Sequence, residues 1–205
     1  MATGTDVTKL KIALIDPTLS CFGKTLLTLA GHDGYITAIS FSFNDALLIT
    51  GSLDNSAIIW GMDSNHKETY GKVLARLYGH TGHVSDACFS PDCELVVTSG
   101  LINFKPRSVY GVIIWKLDKI TGTYTPRKKL VHFLQVRAVR FSNDGKMLAT
   151  LCSDNISFIY NSDLASEDFG MQIAKMTKGN NSWIQKYPND RNITSERREK
   201  RKSLV

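Results

Sequence analysis

The sequence predicts an all-β protein built from three repeated units. Short runs of apolar and β-branched residues alternate with clusters of Asn, Asp, Gly and Ser, which is typical of strands joined by tight turns. Three segments of this kind begin at Tyr35, His83 and Val136, and they align with one another as strand, turn, strand, turn, strand. Helical spacing of apolar residues is absent from all three.

The first unit illustrates the pattern. Residues 36–41, 47–50 and 57–60 are apolar, β-rich runs, and turn residues separate them at 44–45 and 53–55. The repeat length supports the same interpretation, because Phe41, Phe89 and Phe141 are 48 and 52 residues apart. That spacing is near the roughly 40 to 50 residues of repeats that each form a four-stranded sheet.

Unit two carries an insertion. The aromatic residues that end the first and third strands are 19 residues apart in units one and three, but 26 apart in unit two. The 7 additional residues fall near residues 102–110. Because loops tolerate insertions better than strands, we expect a long hairpin loop between the second and third strands.

Short motifs frame the first two units. Gly31-His32 and Gly79-His80 precede them, and Ile59-Trp60 and Ile114-Trp115 end their third strands. With these residues the chain resembles the WD-repeat β-propeller family over roughly residues 26–176. The resemblance implies a partial β-propeller of about three four-stranded antiparallel blades.

In that family a histidine, a hydroxyl, a turn aspartate and the tryptophan form a hydrogen-bonded network inside each blade. In unit two the insertion displaces the turn aspartate, and unit three has Val131-His132 in place of Gly-His and Tyr160 in place of tryptophan. The resemblance implies a structural role for these residues: His32, Ser52 (or Thr50), Asp54, Trp60, His80, Trp115 and Asp154.

The units suggest a three-part organisation. Residues 1–25 form an N-terminal segment with a candidate strand at 9–15, residues 26–176 form the partial propeller, and residues 177–205 form a basic, poorly ordered tail. Fourth, outer strands are expected at 24–29, 72–77, 128–133 and 171–176. Since closed rings have about four to eight blades, three alternatives stay open: a piece of a longer propeller, a ring completed by another chain, or an open stack.

Composition points to an intracellular chain, cytoplasmic or nuclear. Hydrophobic residues at 42% and charged residues at 21% fit a folded domain, and we expect neither a membrane span nor a signal peptide. The four cysteines show no paired pattern, which suits reduced thiols. Residues 191–205 carry net +4 of the total +6, so the rest of the chain is nearly balanced. This balance argues against an extended basic surface for nucleic acid.

No motif in the sequence indicates catalysis, a cofactor or a metal. Gly23-Lys24-Thr25 lacks the glycine five positions earlier that a phosphate-binding loop needs. Cys88 and Cys93 have no second pair to complete a zinc site. His80 and His83 lack a carboxylate or thiol at matching spacing. We therefore expect that the protein is not an enzyme.

These inferences predict a non-catalytic scaffold for protein–protein interactions, with an adaptor or a substrate receptor in a larger complex as one specialisation. The resemblance implies that partners dock on the blade loops, here 33–35, 81–83 and the insertion. The candidate partner-binding residues are Tyr35, His83, Phe104, Arg107 and Tyr110. The alternative function is association with RNA or DNA through the basic tail.

Overall fold

The computed structural model describes residues 8–13, 23–104 and 107–177. These residues form 14 β-strands and no helix, and none of the described segments is a helix able to cross a membrane. The first sheet has two strands, and three sheets of four strands follow. The strands are β1 (Lys9–Ala13), β2 (Thr25–Ala30), β3 (Ile36–Phe41), β4 (Leu47–Ser52), β5 (Ser56–Gly61), β6 (Val73–Tyr78), β7 (His80–Phe89), β8 (Leu95–Phe104), β9 (Arg107–Leu117), β10 (Tyr124–His132), β11 (Val136–Phe141), β12 (Met147–Cys152), β13 (Ser157–Asn161) and β14 (Gln172–Met176).

The three four-stranded sheets are the predicted blades. Blade 1 is β3–β6, blade 2 is β7–β10 and blade 3 is β11–β14, and in each the strands pair antiparallel in chain order. The all-β partial propeller is therefore confirmed. The expected outer strands correspond to β2, β6, β10 and β14, and the candidate N-terminal strand is β1, paired with β2 in a two-stranded half-blade. Residues 178–205, the tail except for its first residue, lie outside the described residues.

The first turn of each blade is built from the same local hydrogen bonds. The Ser42 hydroxyl donates to Asn44 Oδ1 at 2.7 Å, and the Leu47 backbone N–H donates back to Ser42 Oγ at 2.9 Å. Such side-chain contacts fix tight turns without help from distant residues. The same contacts recur at Ser90 with Asp92 and at Ser142 with Asp144.

The hydrophobic core lies between the sheets. Blade 1 packs on blade 2 through one buried cluster, blade 2 packs on blade 3 through a second, and the half-blade covers part of blade 1 through a third. The third strands of blades 1 and 2 are apolar because both of their faces are buried, whereas β13 of blade 3 is only partly buried except at Tyr160. Representative buried residues are Ile49, Ile59, Val96 and Trp115 in the first cluster, Val97, Ile114, Val139 and Leu148 in the second, and Leu29, Leu48, Ile58 and Trp60 in the third.

The insertion in blade 2 is not the predicted loop. The pairing of β8 with β9 continues to Phe104 opposite Arg107, so the additional residues lengthen a hairpin. Strand β7 is lengthened too and begins at His80, which places the expected loop 81–83 inside a strand. The cause is the β-rich composition of the insertion, in which Ile102 is fully buried in the cluster between blades 1 and 2.

Hydrogen bonds also join neighbouring blades at their first strands. The Thr37 hydroxyl of blade 1 donates to the Val84 carbonyl of blade 2. One blade further on, the Ser85 hydroxyl donates to the Val136 carbonyl at 2.7 Å. These two bonds occupy equivalent positions, so the spacing between consecutive blades is set in the same way twice.

Candidate functional site

The loop end of the blades is the candidate site. We define it as the end where each last strand connects to the next blade and where each second strand turns into the third. Antiparallel strands alternate in direction, so these two kinds of connection meet at the same end of every blade. The Leu53 N–H donates to the Tyr35 carbonyl at 2.9 Å, and the Ser153 N–H donates to the Gln135 carbonyl at 2.9 Å.

Beneath this end, blade 1 contains the hydrogen-bonded network that the resemblance implied. The Trp60 indole N–H donates to Thr50 Oγ1 at 2.9 Å, and His32 Nε2 lies 2.8 Å from the same oxygen. His32 Nδ1 lies 2.8 Å from Asp54 Oδ2. Because the carboxylate only accepts, His32 Nδ1–H donates to Asp54. In the neutral imidazole, Nε2 then accepts from the Thr50 hydroxyl, whose oxygen accepts from the indole N–H.

The hydroxyl in this network belongs to Thr50 rather than to Ser52. Both residues are buried on β4 and share one face of the strand, which left the sequence ambiguous. Ser52 Oγ instead accepts a hydrogen bond from the Asp54 N–H at 3.1 Å. Ser52 therefore shapes the turn that presents Asp54, and its assignment to the network is corrected.

Asp54 is held as a carboxylate. Burial alone would raise its pKa, but hydrogen bonds from Ser56, His32 and Asp33 outweigh this effect and lower the pKa to about 2. The Ser56 hydroxyl lies at 2.7 Å, and the backbone N–H groups of Ser56 and Asp33 lie at 2.9 and 3.0 Å. The carboxylate thereby ties the loop before β3 to the turn before β5.

Blade 2 replaces the aspartate with a backbone carbonyl. Thr98 Oγ1 lies 2.7 Å from His80 Nε2 and accepts from the Trp115 indole N–H at 2.9 Å. His80 Nδ1 lies 3.1 Å from the carbonyl oxygen of Leu101, at the start of the inserted segment. Burial lowers the pKa of His80 to about 4, so this histidine is neutral near pH 7.

Blade 3 has lost most of the network. His132 is buried, with Nδ1 3.5 Å from Cys152 Sγ and Nε2 3.4 Å from the Tyr160 hydroxyl, and burial lowers its pKa to about 4. The buried Thr150 hydroxyl has no hydrogen-bond partner in the described part of the chain. Asp154 accepts from the Ile156 N–H at 3.1 Å and so caps its own turn.

Close contact with the tryptophan explains why a glycine precedes the network histidine in blades 1 and 2. A Cβ atom on Gly31 would lie 2.8 Å from Trp60 Cη2, and one on Gly79 would lie 2.9 Å from Trp115 Cη2. Blade 3 has Val131 before its histidine together with Tyr160, whose side chain lacks the outer indole carbons. The glycine and the tryptophan are thus lost together.

The candidate partner-binding residues differ in accessibility. Tyr35 is 54% exposed in the loop before β3. His83 is only partly exposed, and its Nε2 lies 3.2 Å from Gln135 Nε2 of the blade 3 loop. Tyr110 is partly exposed in β9 and pairs with Leu101 and His132. Phe104 and Arg107 pair through their backbones at the end of the hairpin, and their side chains lie outside the described part.

Sequence reasoning missed the most exposed aromatic residue of this end. Phe133 is 98% exposed between β10 and β11, beside Leu134 at 42%, and Leu53 is 44% exposed in the blade 1 turn. The sequence predicts Phe133 at the end of the outer strand 128–133, but β10 ends at His132. The sequence signal for this exposed residue was the apolar pair Phe133-Leu134. The corresponding connection before blade 1, Asp33-Gly34, is not apolar.

No metal site accompanies these residues. Within the described segments, no three His, Cys, Asp or Glu side chains stand close enough together to hold a metal ion.

The repeats, the blade networks and the loop end define a WD-repeat protein. The family model for the WD domain, G-beta repeat, matches residues 23–61, 71–101 and 125–161, which together are just over half of the chain. This protein therefore belongs to the WD40-repeat family. A comparison with curated proteins finds no match to the chain. Proteins of the WD40 family generally act as non-catalytic scaffolds for interactions with other proteins.

Proposed function

We propose that this protein is a non-catalytic scaffold that binds other proteins through the loop end, as an adaptor or substrate receptor in a larger complex. The observation that carries the proposal is the 98% exposure of Phe133 at that end, with Tyr35 at 54%. Phe133 adjoins the exposed Leu134, and Tyr35 adjoins the exposed Leu53. Grouped exposed apolar residues support an interaction surface, because large aromatic side chains contribute much of the binding free energy once a partner covers them.

Rigid support strengthens the argument. Tyr35 and Gln135 each accept a backbone hydrogen bond from the neighbouring turn, and the Asp54 carboxylate anchors the loop that contains Asp33. A surface that is already ordered loses less conformational entropy when a partner binds. The loop end is thus a preformed surface that is suited to binding a partner.

The titratable groups support a non-catalytic role. Burial keeps His80 and His132 neutral, with the pKa of each lowered to about 4. Burial, assisted by the nearby Asp86, raises the pKa of the Cys88 thiol to about 12, so this cysteine carries no thiolate near neutral pH. These groups are satisfied core residues without the properties of an acid, base or nucleophile.

The test is quantitative affinity enrichment from cell extract with the full chain and matched variants. We expect Tyr35→Ala combined with Phe133→Ala to reduce the recovery of specific protein partners by about tenfold or more. The control is Phe43→Ala, a residue 77% exposed in the turn after β3, at the opposite end of the blade. Equal loss with both variants, or no loss with the first, contradicts the proposal.

The same experiment addresses the basic tail. Residues 191–205 contain six basic and two acidic residues, which is the observation that favours nucleic acid as a partner. Binding through this tail would fall steeply with salt and would disappear when residues 191–205 are deleted. Binding through the loop end would survive that deletion and depend on Phe133.

A further inference from the structure

Two of the five prolines in the chain directly follow a hydroxyl residue, at Ser90-Pro91 and Thr125-Pro126. This dipeptide is what proline-directed protein kinases recognise, since their substrate groove favours a residue without a backbone N–H after the phosphorylated one. These kinases also favour a basic residue three positions after the hydroxyl, where charge complementarity assists binding. Thr125 has Lys128 at that position, whereas Ser90 has Cys93.

The two hydroxyls differ in accessibility. Ser90 is 2% exposed, and its hydroxyl donates to Asp92 Oδ1 at 2.6 Å. The same oxygen accepts from the Leu95 N–H at 2.8 Å, so Ser90 is part of the turn after β7. Thr125 is exposed as the second residue of β10, and no hydrogen bond among the described residues involves its hydroxyl. Of these two hydroxyls, only that of Thr125 is open to an enzyme.

Thr125 lies in a part of the sheet that can open locally. Strand β10 is the last strand of blade 2, so β9 is its one partner among the described residues. The register shifts between Pro126 and Lys128, which interrupts the pairing just after Thr125. Releasing residues 124–126 costs the pairing of three residues and the packing of the half-buried Tyr124. Such local opening at an edge is far less costly than unfolding of the blade.

The Thr125 side chain faces blade 3. Its partner on β9 is Lys116, which is paired on its other side with Leu95, a residue buried in the cluster between blades 2 and 3. Residues directly opposite one another in a sheet point to the same face, with Cβ atoms about 4.5–5.5 Å apart. Thr125 and Lys116 are both exposed. The Lys116 ammonium can therefore reach a phosphate on Thr125.

Two more cations follow on the same side of β10. The guanidinium carbon of Arg127 lies 5.9 Å from the centre of the Phe169 ring of blade 3. Lys128 packs against Gly170 of the same blade, where an added Cβ atom would lie 2.9 Å from Lys128 Cγ. Neither cation forms an ion pair with a carboxylate in the described part of the chain. A phosphate has three acceptor oxygens and is stabilised beside such groups.

We propose that Thr125 is a phosphorylation site for a proline-directed protein kinase, and that the phosphate fastens β10 to β9 through Lys116. The Thr125 hydroxyl oxygen attacks the γ-phosphorus of ATP held by the kinase. A new O–P bond forms, the bond from this phosphorus to the oxygen of the β-phosphate breaks, and ADP leaves with the electron pair. The hydroxyl proton passes to a carboxylate of the kinase. The site lies at the end of blade 2 opposite the loop end, so it does not depend on the function proposed there.

The first test uses the full 205-residue chain, a purified cyclin-dependent kinase and ATP, with the modified residue located by mass spectrometry. We expect phosphate on Thr125 and none on Ser90, and Thr125→Ala should abolish the modification while circular dichroism stays unchanged. Lys128→Ala should lower kcat/KM about tenfold, because it removes the basic residue that the kinase contacts.

Lys129→Ala is the matched control for Lys128→Ala. Lys129 is a neighbouring exposed cation, but it pairs with Ile113, which packs toward blade 1, so it lies on the other face of β10. We expect this variant to change kcat/KM by less than about twofold.

Hydrogen exchange of the phosphorylated and unmodified chains tests the role of the phosphate. Exchange of the β10 backbone N–H groups should slow by about twofold or more on phosphorylation. Lys116→Ala should remove this slowing without preventing phosphorylation. Lys67→Ala, at an exposed lysine of blade 1, is the control and should leave the slowing intact.

Three results overturn the assignment of the site. They are no phosphate on Thr125, phosphate on Ser90 as fast as on Thr125, and modification of a synthetic peptide of residues 120–130 but not of the folded chain. The last result would show that the edge strand does not open. Equal hydrogen exchange before and after phosphorylation would overturn the role given to Lys116.

Discussion

The Asp86 carboxylate of blade 2 lies 2.6 Å from Arg140 Nη1 of blade 3. The same carboxylate oxygen accepts a hydrogen bond of 2.8 Å from the buried Val139 N–H. Asp86 is 8% exposed, whereas most of the Arg140 side chain faces solvent. The hydrogen bond from the Val139 N–H therefore contributes more to the stability of the fold than the ion pair with Arg140, since its loss leaves a buried donor unpaired.

We expect Asp86→Ala to lower the free energy of unfolding by about 2 kcal/mol, because the Val139 N–H loses its partner. Urea denaturation followed by circular dichroism measures the change. Lys119→Ala is the control, since it removes the exposed pair with Glu94 and should cost under about 1 kcal/mol. Equal effects of the two variants would mean that Asp86 does not couple the blades.

Thr50 and Thr150 occupy equivalent strand positions but should respond differently to loss of the hydroxyl. Thr50→Val leaves His32 Nε2 and the Trp60 N–H without their partner and should cost about 2 kcal/mol. Thr150→Val removes a buried hydroxyl that has no partner among the described residues, so it should be neutral or stabilising by up to about 1 kcal/mol. Thermal and urea denaturation measure the free energy of unfolding of both variants. Similar losses of stability in the two variants would contradict the predicted difference.

Gly31 should couple energetically to Trp60. Gly31→Ala places a Cβ atom 2.8 Å from Trp60 Cη2, and we expect a cost of about 1–3 kcal/mol from overpacking. Trp60→Phe removes that contact atom, so Gly31→Ala should cost much less in the Trp60→Phe background. A double-mutant cycle measured by urea denaturation isolates this coupling. Additive effects would show that the glycine is needed for another reason.

Stability should fall in mild acid because of two buried histidines. Burial lowers the pKa of His80 and of His132 to about 4, below the value of about 6.5 for an unfolded histidine. The unfolded state therefore binds protons first as the pH falls. The stabilisation is complete above pH 6.5 and is lost toward pH 4, by up to about 1.4 kcal/mol per pH unit for each histidine.

Urea denaturation at pH 7 and pH 5 measures this dependence. We expect His132→Phe to reduce the loss between these two pH values, because it removes one of the two buried titrating groups. His66→Ala is the control, since the His66 side chain is 71% exposed and should leave the loss unchanged. A wild-type protein that is equally stable at both pH values would contradict the conclusion that His80 and His132 destabilise the fold in mild acid.

The strands could be predicted because each is specified locally, by an apolar run between turn residues. The repeated Ser-x-Asn/Asp turns after Phe41, Phe89 and Phe141 fix the register of the first hairpin with contacts inside five residues. The blade 1 network could be predicted apart from its hydroxyl. Thr50 and Ser52 lie on the same face of β4, so only the three-dimensional positions of His32 and Trp60 distinguish them.

Other features could not be predicted from the residue types in the sequence. In blade 2 the partner of His80 Nδ1 is the Leu101 carbonyl, and any residue type can supply a carbonyl. The insertion was expected to be a loop, since its length was visible but its backbone pairing was not. Phe133 has an apolar side chain of the type found in strands, and its exposure follows from the end of β10 one residue earlier.

The repeated hydroxyl-to-carbonyl bonds between first strands have a consequence for how the chain comes apart. Each blade is tied to its neighbours alone, at Thr37 to Val84 and at Ser85 to Val136 among the described residues. Such a linear series loses structure from its ends inward, because a terminal unit breaks one interface and a central unit must break two. Among the described sheets, blade 2 lies between two complete blades and is tied to its own insertion through His80, whereas blade 1 has only the two-stranded half-blade on one side. We therefore expect blade 2 to open last among these sheets.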